Sequence, residues 1–225
     1  CAYYLAQMGY YPTVFEKNEK PGGMLTYGIP SYKLEKDVIF AEIDIMREMG
    51  VEIKCGVEVG KDITIDQLRS EGYKAFYVAI GCQGGKKPDI VGSDAEGVTT
   101  AVDFLKVANC GGYAVEGKTI VIGGGNVAID AARVSVRSGA KEVAMYCLET
   151  RDIMPASNEE IVEAQEDGVS INCGWGPKEV VVENGKAVAV VFKKCLSVFD
   201  ENHRFNPTYD ENETQTVACD NVIFA

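Results

Sequence analysis

The chain has 225 residues, 46% of them hydrophobic and 25% charged, enough to bury a core as one large or two small domains. Its 22 Lys and Arg stand against 34 Asp and Glu, a net charge of −12 with no basic cluster, which argues against a surface built for nucleic-acid phosphates or anionic lipid. Every apolar run is well short of the roughly 18 to 20 residues that span a bilayer, and no signal peptide is visible, so a cytoplasmic protein without a membrane partner is expected.

In chain order, Cys1 to Gly9 reads as the latter half of a helix stopped by glycine, without start signals ahead of it. Thr13 to Glu16 is a short strand, followed by the turn-rich Lys17-Asn-Glu-Lys-Pro-Gly-Gly23. Val38, Ile39, Ile43, Ile45, Met46 and Met49 mark a helix across residues 34–49 that ends at Gly50. Val51 to Cys55 alternates like a strand, and Lys74 to Gly81 reads as a buried strand entering a glycine turn.

A second α/β unit starts near Gly117. Thr119 to Ile122 and Glu142 to Cys147 are strands, and Asn126 to Ser138 and Asn158 to Glu166 are helices, an order that implies a parallel sheet with right-handed crossovers. Glu179 to Phe192 is a hairpin turning at Asn184-Gly185. Thr214 to Ala218 adds an antiparallel strand, and the chain ends on the apolar strand at Asn221 to Ala225. Both ends look cut, which leads us to expect a truncated chain that is inactive in isolation.

The stretch Ile120-Val-Ile-Gly-Gly-Gly-Asn-Val-Ala-Ile-Asp-Ala-Ala-Arg133 carries the strongest chemical signal. A β-branched strand runs into the glycines and a helix leaves them, so backbone N–H groups and the positive helix end would face a pyrophosphate. In the form Gly123-x-Gly125-x-x-Ala128, Gly123 permits the tight turn, Gly125 lets the ligand approach the backbone, and Ala128 keeps helix and strand close. The candidate cradle is Gly123, Gly124, Gly125, Asn126 and Val127. The ribose-reading position lies about 20 residues beyond the last glycine position, and counting from Ala128 reaches Glu149. A carboxylate there accepts ribose hydroxyls and repels a 2′-phosphate, so NAD is favoured over NADP, with Arg151 the residue that would reach a phosphate. Glu16 ends a strand in the same way, where a second ribose-binding acid would stand after a glycine loop upstream of Cys1.

The eight cysteines are widely spread with no C-x-x-C, so zinc, iron–sulfur and dithiol-redox spacings are absent and buried thiols in a reducing compartment are expected. His203, the single histidine, lies in the polar run around Asp200 to Thr214 and reads as solvated.

The stretch from Phe15 to Leu34, FEKNEKPGGMLTYGIPSYKL, resembles the flavoprotein module of glutamate synthase small subunits and dihydropyrimidine dehydrogenases. The likeness continues through Gly72 to Gly81, the glycine turn, Met154 to Glu160 and Ala164 to Val169, nearly the whole chain. It implies two Rossmann-like dinucleotide-binding domains of α/β class, the second inserted in the first, each a parallel sheet with antiparallel additions: an FAD-binding domain over residues 1–107 and 219–225 that lacks its glycine loop, and an NAD(P)-binding domain over 108–218. By motif position, Glu16 with Lys17 would bind the FAD ribose, Gly22, Gly23, Met24, Leu25 and Lys33 would line the flavin nucleotide, Val59 would pack at its adenine side, and Ala79 to Gly81 would pass beside it. The family often carries paired basic residues where this chain has Leu148-Glu149, in keeping with NAD(H) over NADP(H), and commonly Gly-Asp-Thr-Ala where it has Gly125-Asn-Val-Ala128.

The activity implied is NAD(P)H-dependent reduction of FAD, with electrons passed to iron–sulfur clusters in a segment this chain does not contain. The acceptor would be a large partner subunit or a fused iron–sulfur or substrate domain. No catalytic side chain and no metal ligand is expected within the chain. A pyridine-nucleotide disulfide reductase would need a redox pair such as C-x-x-C. A pyrimidine-reducing flavoprotein and a non-enzymatic nucleotide-binding module are the alternatives.

Overall fold

The computed structural model describes residues 1–112 and 114–225. In its first unit, Cys1–Gln83, helix α1 (Ala2–Gln7) closes on Gly9 at φ +84°, with Tyr10 N–H donating back to Leu5 C=O, the glycine-stopped end that the sequence predicts. Strand β1 (Thr13–Glu16) leads through the short helix α2 (Met24–Tyr27) to α3 (Lys36–Glu48), which ends the same way at Gly50. Strand β2 (Glu52–Cys55) then pairs in parallel with β1. Helix α4 (Ile65–Ser70) begins with a reciprocal cap: Gln67 N–H donates to Thr64 Oγ1 and Thr64 N–H donates to Gln67 Oε1.

One expectation for this unit is overturned. Lys74 to Gly81 forms no strand, and Val78 and Ile80 are 75% and 81% exposed. An apolar run becomes a strand only where a neighbour offers a backbone ladder, and among the described residues β1 and β2 pair with each other and nothing pairs with residues 74–81.

The second unit, Gly84–Ala225, has three layers. Strands β3 (Val98–Thr100), β4 (Lys118–Ile122), β5 (Glu142–Cys147) and β6 (Ser170–Cys173) alternate with helices α5 (Ala101–Asn109), α6 (Asn126–Arg137) and α7 (Asn158–Glu166). A meander of β7 (Trp175–Glu183), β8 (Lys186–Phe199) and β9 (Phe205–Ala218) follows, and β10 (Asn221–Phe224) ends the chain. The parallel sheet has the order β3-β10-β4-β5-β6.

Strand alternation splits the core. Val121, Val143, Met145 and Ile223 face the helices with Phe104, Leu105, Ile129 and Ile161, whereas Ile120, Ile122, Tyr146, Val222 and Phe224 face the meander with Val180, Val190 and Phe192. Tyr146 stacks on Phe192 with centroids 4.1 Å apart. The predicted hairpin turn is present, with Asn184 at φ +50° and Gly185 at φ +83°. The strand expected from Thr214 starts at Phe205, because β8 extends a ladder to the whole polar run.

These units divide at 83/84. The physical reason lies in β10: placed between β3 and β4, it hydrogen-bonds on both edges and buries Val222, Ile223 and Phe224, so residues 98–109 and 221–224 share a core with the glycine turn.

An ion network fixes α6 to α7. Buried Arg133 donates from Nε to Asp167 Oδ2 at 2.7 Å and also pairs with Glu163, and Arg137 binds Asp167 as well. Hydrogen bonding from Arg137, then from Arg133, holds the Asp167 carboxyl below its usual range. Because the folded state lowers this value beneath about 3.9 in the unfolded chain, the stabilisation is complete above that pH and is lost as pH falls through the folded value. Thermal unfolding followed from about pH 6 to pH 2 should show a falling midpoint below about pH 4, and Asp167→Asn should flatten that part of the fall. An unaltered acid slope in the variant contradicts the assignment.

Candidate nucleotide-binding site

The strand order reverses at β4, which is followed in sequence by β5 on one side and bordered by β10 on the other. In open α/β sheets ligands bind outside the carboxyl ends of the strands at such a switch point. Gly123 to Gly125 stand there. Gly123 has φ +149°, and a Cβ on it would lie 2.7 Å from the Ala225 carbonyl oxygen, so this glycine serves the close approach of β4 and β10. Gly124 is buried against β5: its Cβ would stand 2.7 Å from Glu149 Oε2 and 3.1 Å from Cys147 Cβ. Gly125 differs, since a Cβ there would meet nothing within 4 Å.

Helix α6 starts at this open face with Gly125 as its N-cap. Its first turn has no acidic residue and no side-chain cap, and the leading N–H groups of any helix lack intrahelical partners. Asn126 and Val127 are exposed there, while Ala128 is 1% exposed and packs the helix onto the sheet. An anion is attracted to such an end by the N–H groups and the helix dipole together.

The fold brings Glu149 to the same place. Its carboxylate sits over Gly124, at the end of β5, and its carbonyl accepts from Gly174 N–H at 2.9 Å. Arg151 is exposed and donates to Asn158 Oδ1 at 3.2 Å, toward the start of α7. Two residues beyond the predicted set hold the turn: Ala156 N–H donates to Gly124 C=O at 3.0 Å, and Ser157 N–H donates to Asn126 Oδ1 at 3.0 Å. Their sequence signal is the helix start at Ser157, whose Oγ accepts from Glu160 N–H.

In the first unit, Glu16 ends β1 and its Oε1 accepts from both the backbone N–H and the side-chain amide of Asn18, each at 2.8 Å. Glu16 C=O accepts from Val57 N–H, which places the β2 exit and, two residues on, half-exposed Val59 at the same sheet end. Lys17 is exposed. Gly22, at φ +110°, is fixed by the loop, because a Cβ would lie 2.2 Å from Thr26 Oγ1. Gly23, at φ +53°, is open, with only the Gln83 amide within 4 Å of a Cβ.

Met24 folds back over Gly28, Leu25 is exposed, and Lys33 is half-buried after a turn closed on Pro30. Ala79 and Gly81 lie on the exposed, non-strand segment, so their predicted placement on a buried strand is corrected along with that strand. Among the described residues no group of three or more His, Cys, Asp or Glu could hold a metal, and no helix is long and apolar enough to cross a membrane.

A parallel sheet with a glycine turn at its switch point, an uncapped helix behind the turn and an acid at the next strand end define a Rossmann-like dinucleotide-binding module. The pyridine nucleotide-disulphide oxidoreductase family matches over residues 1–225. The chain is 35% identical over 236 residues to the glutamate synthase (NADPH) small chain of Halomonas elongata, an alignment spanning 100% of this chain and 50% of that protein. To the NAD-dependent dihydropyrimidine dehydrogenase subunit PreT of Escherichia coli K12 it is 40% identical over 192 residues, 84% of this chain and 44% of that one. Among solved structures, the oxidoreductase FprA of Mycobacterium tuberculosis shares the fold with a TM-score of 0.79 at 18% identity, covering 95% of this chain and 63% of the other.

This chain belongs to the pyridine nucleotide-disulphide oxidoreductase family, whose domains bind FAD and NAD(P). It spans half the length of the first of these curated relatives and less of the second.

Proposed function

We propose that this chain is the electron-entry module of a larger flavoenzyme of the glutamate synthase small-subunit type, taking hydride from NADH in preference to NADPH. The observation that carries the reading is the Glu149 carboxylate held beside Gly124 at the open end of α6. There the α6 N-terminus and Gly125 accept the pyrophosphate, and Glu149 accepts the adenosine ribose hydroxyls. FAD, when bound, supplies the hydride acceptor and releases electrons singly. Glu16, Lys17, the Gly22 to Leu25 turn, Lys33, Val59 and the segment from Ala79 to Gly81 are the residues proposed to hold it, with the open Gly23 backbone as the close-approach point.

The electrons leave for an iron–sulfur cluster or a partner subunit beyond this chain, in a cytoplasmic assembly; small and subunit-type names among the relatives support a partner. A second reading, a pyrimidine-reducing flavoprotein, is favoured by one observation: the relative named for dihydropyrimidine dehydrogenase is also the one named NAD-dependent, in keeping with Glu149. The test is anaerobic addition of NADH to the larger flavoenzyme that carries this module, loaded with FAD. Bleaching of the oxidised-flavin absorbance is expected, and nucleotide binding without bleaching contradicts hydride entry here.

A further inference from the structure

Behind the glycine turn lie two cysteines, 26 positions apart in the chain, that sequence spacing does not connect. Cys147 ends β5 and Cys173 ends β6, and the parallel ladder sets them directly opposite one another. In this register the two side chains leave neighbouring strands as partners, and Cys173 Sγ lies 3.8 Å from Met154 Sδ. Paired residues on neighbouring strands are separated by about 4.8 Å, inside the Cα spacing of about 4.4 to 6.8 Å that a disulfide accepts.

We propose that Cys147 and Cys173 form an oxidisable dithiol, and that closing it into a disulfide weakens nucleotide binding at the turn. The second half of this proposal rests on the nucleotide reading above. Coupling follows from contact: Cys147 Cβ is 3.1 Å from where a Gly124 Cβ would be, Cys147 Sγ donates to Glu149 C=O at 3.6 Å, and Gly174, next to Cys173, donates its N–H to the same carbonyl. Drawing the two sulfurs together moves the strand ends that hold both Gly124 and Glu149.

The two thiols differ in access. Cys147 is 2% exposed, and burial first, then Cys173 and Glu149, push its thiol well above the ordinary range. Cys173 is half-buried and meets an oxidant first. With a hydroperoxide as oxidant, the Cys173 thiol is oxidised to a sulfenic acid while the O–O bond breaks and an alcohol or water leaves. Cys147 sulfur then attacks that sulfur, the S–O bond breaks, the S–S bond forms and water departs. Two thiols lose two electrons and two protons, and one hydroperoxide is reduced. A dithiol reductant reverses the step by exchange.

The experiment treats the reduced full chain with hydrogen peroxide, alkylates remaining thiols, maps disulfides by mass spectrometry, and titrates NADH into both forms. A crosslink joining Cys147 to Cys173, lost in Cys173→Ser, is expected, with NADH affinity about tenfold lower in the oxidised form and restored by dithiothreitol. No intramolecular disulfide, or one involving exposed Cys1, Cys82 or Cys110 instead, overturns the dithiol assignment. The mapped crosslink with equal affinity in both forms overturns the coupling. Failure of the reduced protein to bind NADH at all overturns the nucleotide reading and, with it, the coupling, while the crosslink map still decides the dithiol.

Discussion

Gly125→Val is expected to lower NADH affinity by at least about a hundredfold, the scale of losing one or two charge-assisted hydrogen bonds to a pyrophosphate. The fold should survive. Gly125 has ordinary extended angles, φ −93° and ψ 175°, and a Cβ there meets nothing within 4 Å, so valine enters open space and costs about 1 kcal/mol through the weaker N-cap. That open space is where the phosphates of the proposed ligand would approach the backbone. Gly123→Val is the contrast: its Cβ would press within 2.7 Å of the Ala225 carbonyl oxygen at a φ that valine resists, so this variant should lose thermal stability itself. Calorimetric titration together with a melting curve separates the two effects. Undiminished NADH affinity in a folded Gly125→Val protein contradicts the site.

The second large effect concerns the choice of nucleotide. NADP would place a phosphate against the Glu149 carboxylate, an unpaired, like-charged contact costing roughly 1 to 3 kcal/mol, or about tenfold to a hundredfold in affinity. Replacing Leu148 and Glu149 together with arginines should reverse the preference, because guanidinium groups suit a phosphate and leave the bare ribose without its acceptor. Arg151 is the natural competitor for a phosphate in the unmodified protein. In the structure it reaches Asn158 at 3.2 Å, at the start of α7. Arg151→Ala should therefore leave the NADH preference in place, and dissociation constants for both nucleotides across the three proteins check it. A double-arginine protein that still prefers NADH contradicts the assignment of this strand end to the ribose.

Much of this was legible because its signals are local. Gly9 and Gly50 announce the ends of α1 and α3, Asn184-Gly185 announces the turn between β7 and β8, and the β-branched run into Gly123 announces the strand, turn and helix of the candidate site. Counting along one crossover also reaches Glu149, which the fold indeed brings to Gly124. What escaped depends on partners distant in sequence. The four residues of β6 become a strand because β5 offers an edge, and the polar run from Phe205 becomes β9 because β8 does.

The opposite error at Lys74 to Gly81 has the same origin: its apolar composition suits a strand, but the described residues supply no neighbouring ladder. The placement of β10 between β3 and β4 is likewise a fact of pairing. Ala156 and Ser157 lie in the stretch Met154 to Glu160 that carries the family likeness, yet their grip on Gly124 and Asn126 appears only once α7 packs beside α6. The Cys147 and Cys173 pairing is the clearest case, since no spacing rule relates them and the register of two parallel strands sets them side by side.

In the proposed reading, the turn from Gly123 to Val127 and Glu149 form one nicotinamide-nucleotide site tuned to an unphosphorylated ribose. Titrating NADH and NADPH separately into the unmodified, reduced protein by calorimetry decides it. One site per chain is expected, with NADH bound at least about tenfold more tightly than NADPH. NADPH binding as tightly as NADH, or more tightly, contradicts it.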